Sequence, residues 1–437
     1  MFIEQLENIW SGIDYPFLQD SNGNKLFFRE ISSVEICDLE KLQAGDVVAL
    51  IGDFDYKSIA TLLRLLSKGA IVVPLTKETR NQHEYFFLES CVQYVFEKNK
   101  LSRVISKLQI SHPLIDYLRN KVHPGLILFT TGTTGRPKAI LHDFIPFISR
   151  YKTPRPPLKS LSFLLFDHIG GINTLLHMLF NLGQIVSIQK RTVEEVANII
   201  RKFSVELLPT TPTFLRMLSL HQDIENKLGD SLKIISYGTE RMDEPTLGKL
   251  CAQFPKVDFR QTYGMSELGI LRIKSKSRDS IFMSVGGEGV ETKIEKNILY
   301  IKAKNRMIGY LNAPSPFDDE GWYCTKDIVK SDNDNYITIT GRDGDVINIS
   351  GLKFLPSEVE LECLSLKEVK FAKAYGVNNP ITGQYLELNI ELNEQSEKKT
   401  DFKKYIYNHL KNRLPKHMVP SRIKIGSQVL SHRFKKL

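Results

Sequence analysis

The residues best suited to chemistry lie in one short polar segment, which directly follows an apolar run typical of a buried strand. Residues 130–138 (TTGTTGRPK) hold four threonines, two glycines and two basic side chains. Glycines let the backbone turn tightly and bring its N–H groups close to an anion. The hydroxyls add uncharged donors, and Lys138 adds a positive charge that suits a polyphosphate. The Walker A pattern GxxxxGK[ST] is absent. A surface loop rich in turn residues is the alternative, but the density of hydroxyls favours a phosphate-binding loop.

Four further polar motifs follow along the chain. They are residues 235–240 (ISYGTE), 261–267 (QTYGMSE), 321–327 (GWYCTKD) and 341–351 (GRDGDVINISG). Each has an ordinary alternative when it stands alone: Asp327 suits a turn, Glu267 a solvent-exposed acid and Tyr263 a hydrophobic core. Their occurrence in one chain favours a common site.

Together these motifs resemble those of the ANL superfamily of adenylate-forming enzymes, which comprises acyl-CoA synthetases, adenylation domains of nonribosomal peptide synthetases, and luciferases. FTTGTTGRPKAILH resembles the signature loop, QTYGMSE the YGMTE motif, GWYCTKD the GWxxTGD motif and GRDGDVINISG the GRxxDxIxxxG crossover. The resemblance implies an α/β fold, with a large N-terminal domain of mainly parallel sheets covered by helices and a small mobile α+β C-terminal domain. It also implies ATP-dependent activation of a carboxylic acid as an acyl-adenylate, release of pyrophosphate, and transfer of the acyl group to a phosphopantetheine thiol.

The resemblance assigns roles to individual residues. The phosphates of ATP would be bound by Thr130, Thr131, Gly132, Thr133, Thr134, Gly135 and Lys138. Glu267 would bind Mg²⁺, since a hard cation prefers carboxylate oxygen, and Ser266, in place of the usual threonine, would contact the α-phosphate. The adenosine site would be formed by Gly238, Thr239, Glu240, Tyr263, Gly264, Asp327 and Arg342. Within it, Tyr263 would stack on adenine and Asp327 would accept both ribose hydroxyls.

The last implied catalytic group is a lysine near the C-terminus. The chain ends SHRFKKL, and alignment with the family pattern T-x-x-G-K puts Lys435 at the lysine, one residue before Lys436. Lys435 would bridge the substrate carboxylate and an α-phosphate oxygen. The alternative is a basic terminus without a role in catalysis.

Residues 164–171 (LLFDHIGG) align with the segment that lines the acid pocket of the family. His168 resembles the residue near the substrate carboxylate, and Gly264 would lie beside the same substrate. Asp167 stands near the position at which amino-acid activators place an Asp against the α-ammonium. A charge-paired Asp167 would indicate an amino acid, whereas one turned away would only cap a turn. A plain acyl or aryl acid is the preferred prediction and an amino acid is the alternative.

The pattern of elements predicts how these residues are positioned. Residues 46–75 read as strand, helix and strand, and strands alternate with helices up to about residue 285, which predicts mainly parallel sheets. Short strands follow, with a hairpin turn at DNDN (332–335). We therefore predict a large AMP-binding domain at 1–341 and a small lid domain at 342–437, with a hinge at about 342–345.

Charge is unevenly distributed along the 437 residues, whose net charge is +9. Residues 398–437 carry twelve Lys or Arg against one acid, which leaves the rest of the chain slightly negative. A basic tail suggests an anionic partner. CoA and an acidic acyl carrier protein both fit, and the carrier protein is slightly favoured. No nucleic-acid recognition motif is present, so nucleic acid is not the expected partner.

Composition suggests a cytoplasmic enzyme. The five cysteines are scattered without a CxxC pair, which argues against a disulfide framework or a zinc site. The N-terminus lacks a secretory pattern, and the apolar runs are too short for a membrane span. A nucleotide-binding regulator without catalysis is the alternative from another class of protein. The sequence leaves the oligomeric state open.

Overall fold

The computed structural model describes residues 2–20, 23–104, 111–130, 136–151, 153–380, 382–393 and 401–427. Twelve α-helices lie within these ranges: α1 Phe2–Ile9, α2 Tyr56–Ser67, α3 His83–Glu89, α4 Pro113–Lys121, α5 Phe144–Ile148, α6 Ile169–Phe180, α7 Val193–Phe203, α8 Pro212–Leu220, α9 Ile224–Leu228, α10 Glu244–Gln253, α11 Pro356–Leu364 and α12 Phe402–Arg413. No helix of the described ranges combines the length and apolarity that crossing a bilayer requires.

Residues 18–261 supply strands to two large sheets, which we call the first and the second sheet. These strands are β1 Leu18–Gln19, β2 Lys25–Leu26, β3 Val47–Ile51, β4 Ile71–Leu75, β5 Tyr94–Glu97, β6 Lys100–Arg103, β7 Gly125–Phe129, β8 Ala139–Asp143, β9 Lys159–Leu161, β10 Gln184–Val186, β11 Leu207–Thr210, β12 Ile234–Tyr237 and β13 Asp258–Gln261. The second sheet has the order β13-β12-β11-β9-β10-β1-β2, and every neighbouring pair except β1–β2 is parallel.

The next strands form a third, antiparallel sheet and complete the first one. They are β14 Tyr263–Met265, β15 Gly269–Ser275, β16 Met283–Gly286, β17 Val290–Glu295, β18 Ile298–Ala303, β19 Gly309–Tyr310, β20 Tyr323–Ser331 and β21 Ile337–Arg342. The first sheet has the order β19-β8-β7-β4-β3-β5-β6, and the third has the order β14-β15-β16-β21-β20-β18-β17. Strand β19 therefore leaves the region of the third sheet and pairs with β8 of the first.

The last hundred residues form a smaller α+β unit. Its strands are β22 Ile347–Ile349, β23 Leu352–Phe354, β24 Val369–Asn379, β25 Gly383–Leu392 and β26 Arg422–Ile425. Strands β24, β25 and β26 form one sheet, on which α11 and α12 pack around a separate apolar cluster that includes Val359, Leu388 and Ile406. A core of its own is the property expected of a separate domain.

The first sheet, in which three neighbouring pairs are parallel and three are antiparallel, shares one large apolar core with the mainly parallel second sheet. Leu50 of β3 and Leu128 of β7 in the first sheet are buried in the same cluster as Leu175 of α6 and Ile185 of β10 in the second. Helix α2 begins at this core because the Asp55 side chain accepts the backbone N–H groups of its first turn, which have no partner inside the helix. Helices thus cover the sheets as the sequence pattern predicts.

The predicted fold class is confirmed: the protein is an α/β protein with a large N-terminal part and a small α+β C-terminal part. The two strands predicted within residues 46–75 are β3 and β4, and the apolar run before residue 130 is β7. The hairpin predicted at 332–335 joins β20 to β21, with Asn335 at φ +61° in its turn. The domain boundary at residue 341 stays a prediction.

Candidate active site

The phosphate-loop prediction concerns a segment that connects two antiparallel strands. Strand β7 ends at Phe129 and β8 begins at Ala139, and these two residues face each other in the ladder. Next to this pair, the backbone N–H of Thr130 donates to the carbonyl oxygen of Lys138 (3.1 Å), and the backbone N–H of Lys138 donates to Thr130 Oγ1 (3.1 Å). The two ends of the segment are thereby held together. Thr131, Gly132, Thr133, Thr134 and Gly135 lie outside the described residues.

Two side chains from distant parts of the chain hold the C-terminal end of this segment. Asn312 Nδ2 donates to the carbonyl oxygen of Pro137 (3.1 Å), while its Oδ1 accepts the backbone N–H of Ala139 (2.8 Å). The Tyr85 hydroxyl donates to the same Pro137 carbonyl (2.9 Å). The position of Lys138, between Pro137 and Ala139, is therefore fixed on both sides by Asn312.

Lys138 and Glu267, predicted to bind phosphate and metal, meet on one side chain that was not predicted. The Lys138 ammonium lies 4.7 Å from the centre of the Tyr310 ring, and the Tyr310 hydroxyl donates to Glu267 Oε1 at 2.6 Å. Burial, together with the Glu267 carboxylate, raises the pKa of Tyr310 far above its usual range, so the phenol stays protonated and acts as a donor. The structure thus brings two separate motifs to one place.

The Glu267 carboxylate is buried, with 7% of the residue exposed, yet its described neighbours are hydroxyls. Tyr310 and Tyr323 are the groups beside it, and no described Lys, Arg or His nitrogen comes within 4.0 Å, the limit for an ion pair. A buried carboxylate without a cationic partner is costly. Nor do the described residues supply a cluster of three metal-ligating side chains. This donor set fits Mg²⁺, which typically takes one or two carboxylates and completes its shell with phosphate oxygens and water.

Ser266, the residue before Glu267, is held through its backbone. His142 Nε2 donates to the Ser266 carbonyl oxygen at 2.7 Å, and His142 is 1% exposed. Burial lowers the pKa of His142 to about 3, so the ring is neutral at physiological pH. Gly264 is required for packing in the same motif, since a Cβ there would lie 2.5 Å from the carbonyl oxygen of Gly269.

The predicted ribose-binding carboxylate lies in a second buried group. The Tyr263 hydroxyl donates to Asp327 Oδ2 at 2.7 Å, and Arg342 Nε donates to Asp327 Oδ1 at 2.9 Å. Asp327 and Arg342 face each other across the β20–β21 ladder, so the hairpin register sets their contact. Burial and the Asp327 charge raise the pKa of Tyr263. The three predicted adenosine-site residues are therefore brought together.

The 238–240 segment adjoins this group through tight backbone packing. A Cβ on Gly238 would lie 2.2 Å from Thr262 Oγ1, so only glycine fits beside the 261–267 motif. Thr239 has φ +69°, a left-handed conformation that costs a side-chain-bearing residue about 1–2 kcal/mol. The Glu240 carboxylate accepts the backbone N–H of Thr213 at the start of α8 (3.2 Å). The predicted contact with adenine, which concerns this backbone, stays a prediction.

The predicted acid-pocket residues lie at the start of α6. His168 precedes the helix, and its Nδ1 accepts the backbone N–H of Gly170 at 3.0 Å. A neutral His168 ring must therefore carry its proton on Nε2, which leaves that nitrogen as a donor. Asp167 is 4% exposed and lies within electrostatic reach of Arg191 and His83. Arg191 in turn is 3.8 Å from Asp53 and donates to the Phe163 carbonyl oxygen.

Five residues of this site were missed by the sequence analysis: Tyr85, His142, Tyr310, Asn312 and Tyr323. His142 is the last residue of FTTGTTGRPKAILH and Tyr323 stands in GWYCTKD, but neither was assigned a role, while Tyr310 and Asn312 belong to the short run GYLN (309–312). A single Tyr or Asn carries no chemical signal until its neighbours in space are known. Lys435 and Lys436 lie outside the described residues.

The fold is that of an α/β protein with a large N-terminal part and a smaller C-terminal unit, and the candidate site joins Lys138 to Glu267 through Tyr310, and Tyr263 to Asp327 and Arg342. A family model of AMP-binding enzymes matches residues 39–296, more than half of the chain. The chain belongs to the AMP-binding enzyme family, and its predicted membership of the ANL superfamily of adenylate-forming enzymes is confirmed.

Relatives and solved structures agree with this assignment. The chain is 25% identical to 4-coumarate–CoA ligase-like 6 of Arabidopsis thaliana over 55% of its length and 48% of the relative's. It is 24% identical to 2-succinylbenzoate–CoA ligase of Staphylococcus epidermidis (strain ATCC 12228 / FDA PCI 1200) over 71% and 68%. It is also 26% identical to the uncharacterized acyl–CoA ligase YhfT of Bacillus subtilis (strain 168), of which 57% is covered. The chain thus spans about half the length of this relative and of the Arabidopsis one.

Among solved structures, the anthranilate CoA ligase AuaEII in complex with anthranoyl-AMP has a TM-score of 0.82 at 15% identity, and the alignment covers 100% of this chain and 95% of that one. The o-succinylbenzoate CoA synthetase of Bacillus subtilis in complex with OSB-AMP has a TM-score of 0.78 at 19% identity, covering 100% and 96%. At these identities the two structures show the shared fold.

Proposed function

We propose that this protein activates a carboxylic acid with ATP, forming an acyl-adenylate and releasing pyrophosphate, and then transfers the acyl group to a phosphopantetheine thiol. The observation that supports this most directly is the meeting of Lys138 and Glu267 on Tyr310. Lys138 suits the β- and γ-phosphates, and Glu267 suits Mg²⁺. The relatives named above are CoA ligases, which supports the same reaction class.

In the proposed reaction, a carboxylate oxygen of the acid attacks the α-phosphorus, and the bond from that phosphorus to the bridging oxygen of pyrophosphate breaks. Both reactants are anions, so the protein must align them and offset their repulsion. The phosphate-loop residues and Lys138 would hold the leaving phosphates, and Ser266 the α-phosphate. Mg²⁺ bound at Glu267 would neutralise charge on the phosphate oxygens. The His168 Nε2–H would donate to the substrate carboxylate.

The adenosine would lie between residues 238–240 and the Tyr263–Asp327–Arg342 group. Each Asp327 oxygen already accepts one hydrogen bond and keeps a further lone pair, so the carboxylate can still accept the ribose hydroxyls. Tyr263 would present its ring to adenine while its hydroxyl holds Asp327. Gly264 would lie at the junction of the nucleotide and the acid.

For the acid we propose an acyl or aryl carboxylic acid that lacks an α-ammonium. Asp167 is buried, and the charge of Arg191 lies close enough to interact with it. The charge of Arg191 acts on Asp167 and reduces the need of this carboxylate for a ligand ammonium. The amino-acid alternative predicts that Asp167→Asn abolishes activity toward the preferred acid, whereas our proposal predicts activity within a few-fold of the wild-type value.

For the acceptor we propose an acidic carrier protein that bears phosphopantetheine, with CoA as the alternative. Lys403, Lys404 and Lys411 on α12 are exposed. A surface of exposed lysines suits an acidic protein, because opposite charges speed encounter and orient the partner. Replacing these three lysines by Glu should raise the KM for the carrier protein about 10-fold or more, without changing adenylation. Lys227→Glu and Lys256→Glu on the large domain serve as the matched charge-reversal control.

We further propose the domain boundary at residue 341, with residues 342–345 as the hinge of a C-terminal domain that moves between adenylation and thioester formation. Lys435 would bring its ammonium to the reacting carboxylate in the first step. Lys435→Ala should then suppress adenylation while ATP binding is retained. Equal activity in that variant, with loss in Lys436→Ala, would move the role to Lys436. The reaction is proposed to take place in the cytoplasm, since five free cysteines suit a reducing compartment.

The decisive experiment is acid-dependent exchange of labelled pyrophosphate into ATP, measured with a panel of fatty, aryl and amino acids. We expect exchange with at least one fatty or aryl acid and none without acid. Absence of exchange with every acid, in protein that still binds ATP, would favour a nucleotide-binding regulator and contradict the proposed reaction. Thioester formation is then measured separately with CoA and with a phosphopantetheinylated carrier protein.

A further inference from the structure

The short strand β19 and the residue after it are attached to the strand that follows the phosphate loop. Gly309 and Tyr310 pair with Leu141 and Ile140 of β8, the strand that leaves the phosphate loop. The backbone N–H of Leu311 adds a bond to the Ala139 carbonyl oxygen at 2.9 Å. This segment is therefore fixed to the strand that begins one residue after Lys138.

The same segment also fixes Glu267, through both its side chain and its backbone. The Tyr310 hydroxyl donates to Oε1 at 2.6 Å, and the backbone N–H of Met307 donates to the Glu267 carbonyl oxygen at 2.8 Å. Tyr310 is 6% exposed, so its hydroxyl cannot exchange this partner for water at low cost. One carboxylate oxygen is thereby oriented by Tyr310, and Tyr323 also lies beside the carboxylate.

The ring of Tyr310 has a second contact that is independent of its hydroxyl. The Lys138 ammonium lies 4.7 Å from the ring centre, within the range of an attractive cation–π contact. The hydroxyl and the ring thus act on two different groups, a carboxylate and an ammonium. A substitution that removes only the hydroxyl separates the two effects.

We infer that Tyr310 is a positioning residue that orients Glu267 for Mg²⁺ through its hydroxyl and places Lys138 against the phosphates through its ring. The inference rests on the proposed function, because it concerns the binding of MgATP at the same site. Residues that orient a metal ligand typically change metal affinity about 10- to 100-fold when they are replaced. A purely structural role would instead weaken ATP binding with and without metal.

The experiment compares ATP dissociation constants in saturating Mg²⁺ and in EDTA, measured by calorimetry without any acid substrate. Tyr310→Phe should weaken binding about 10- to 100-fold in Mg²⁺ and leave the value in EDTA unchanged, because the ring still faces Lys138. Tyr310→Leu should weaken binding under both conditions, since it also removes the ring. The difference between the two variants assigns each effect to its group.

Tyr151→Phe is the matched control. Tyr151 is also buried, and its hydroxyl donates to Asn173 Oδ1 at 2.8 Å, outside the candidate site. Tyr151→Phe should show the loss of thermal stability that follows from removing a buried tyrosine hydroxyl. Its ATP dissociation constants in Mg²⁺ and in EDTA should keep their wild-type values. Thermal unfolding of all variants reports on that loss of stability.

The outcomes separate this inference from the proposed function. A Tyr310→Phe variant with the wild-type ratio of the two constants, or with both constants raised equally, would overturn the inference alone. A wild-type protein that binds no ATP in either condition would overturn the proposed function and the inference together. Wild-type binding that is insensitive to Mg²⁺ would remove the metal role of Glu267 and with it the role of Tyr310.

Discussion

Glu267 and Asp327 are two buried carboxylates of one site, and each accepts a tyrosine hydroxyl at nearly the same distance. Tyr310 donates to Glu267 at 2.6 Å, and Tyr263 donates to Asp327 at 2.7 Å. They differ in their cations. Asp327 also accepts from Arg342 at 2.9 Å, whereas Glu267 has no described Lys, Arg or His nitrogen within ion-pair distance.

This difference indicates which of the two carboxylates is better suited to bind a cation from outside the protein. Asp327 is neutralised within the protein, so it can serve as a hydrogen-bond acceptor for uncharged ribose hydroxyls. Among the described residues, the buried Glu267 side chain has hydroxyl groups beside it and no cation, and a buried carboxylate is stabilised best by a bound cation. The two Tyr–carboxylate pairs are alike in geometry, and their charge balance separates the proposed metal site from the proposed ribose site.

The largest effect should come from Glu267→Gln, which keeps the shape and removes the charge. Pyrophosphate exchange should fall about 100-fold or more, since charge stabilisation by a metal ion is worth several kcal/mol and 1.4 kcal/mol is tenfold in rate. Glu288→Gln, which changes an exposed acid of the large domain, is the control. Pyrophosphate exchange at the wild-type rate in Glu267→Gln would contradict the proposed metal role of Glu267 and its difference from Asp327.

Asp327→Asn should weaken ATP binding about 10- to 100-fold, because hydrogen bonds to a charged group contribute about 1.5–3 kcal/mol. The loss of ATP affinity should be the same in Mg²⁺ and in EDTA, whereas the loss expected for Tyr310→Phe beside Glu267 is confined to Mg²⁺. Deoxy analogues of ATP that lack a ribose hydroxyl should bind the wild type more weakly than ATP does. Asp327→Asn should weaken the binding of these analogues by a smaller factor than it weakens the binding of ATP. A loss confined to Mg²⁺ would assign Asp327 to the metal instead.

Tyr263→Phe tests whether Arg342 makes the second carboxylate less dependent on its tyrosine. The ring is retained, one hydrogen bond of about 1 kcal/mol is lost, and ATP affinity measured by calorimetry should fall by roughly 3- to 10-fold. Arg342 continues to hold Asp327, so this loss should be smaller than that of Tyr310→Phe in Mg²⁺. Equal losses in the two Tyr→Phe variants would show that the internal cation makes no difference.

Arg342→Ala should have the smallest effect on ATP binding, about fivefold or less. The Arg342 side chain is 57% exposed, and exposed ion pairs contribute about 0–1 kcal/mol. The effect should shrink further in about 0.5 M salt, because screening weakens the pair in the wild type as well. A larger loss that persists in salt would mean that Arg342 contacts the nucleotide itself. Titration of ATP at low and high salt distinguishes the two cases.

Much of the fold follows from local patterns in the sequence. The short uninterrupted apolar runs of β3, β4 and β7 suit strands buried on both faces, and the spacing of apolar residues in α7 suits a helix with one buried face. The Asp327–Arg342 contact follows from a local pattern only in part, since the DNDN turn sets the hairpin register as far as Val329 and Ile339, and an irregularity between Ile328 and Val329 then shifts the register so that Asp327 faces Arg342. The sequence therefore predicts the hairpin that carries both residues, but not the register shift that brings them together.

The sequence by itself determined the elements, the superfamily and the chemical types of the motif residues, because these depend on neighbours along the chain. Only the tertiary structure decided what surrounds the charges. Tyr310 reaches Glu267 across 43 positions, and His142 reaches Ser266 across 124. Such contacts arise from the pairing of β19 with β8 and from the packing of the sheets, and no local pattern encodes them. The carboxylate left without a cation was visible only once those neighbours were in place.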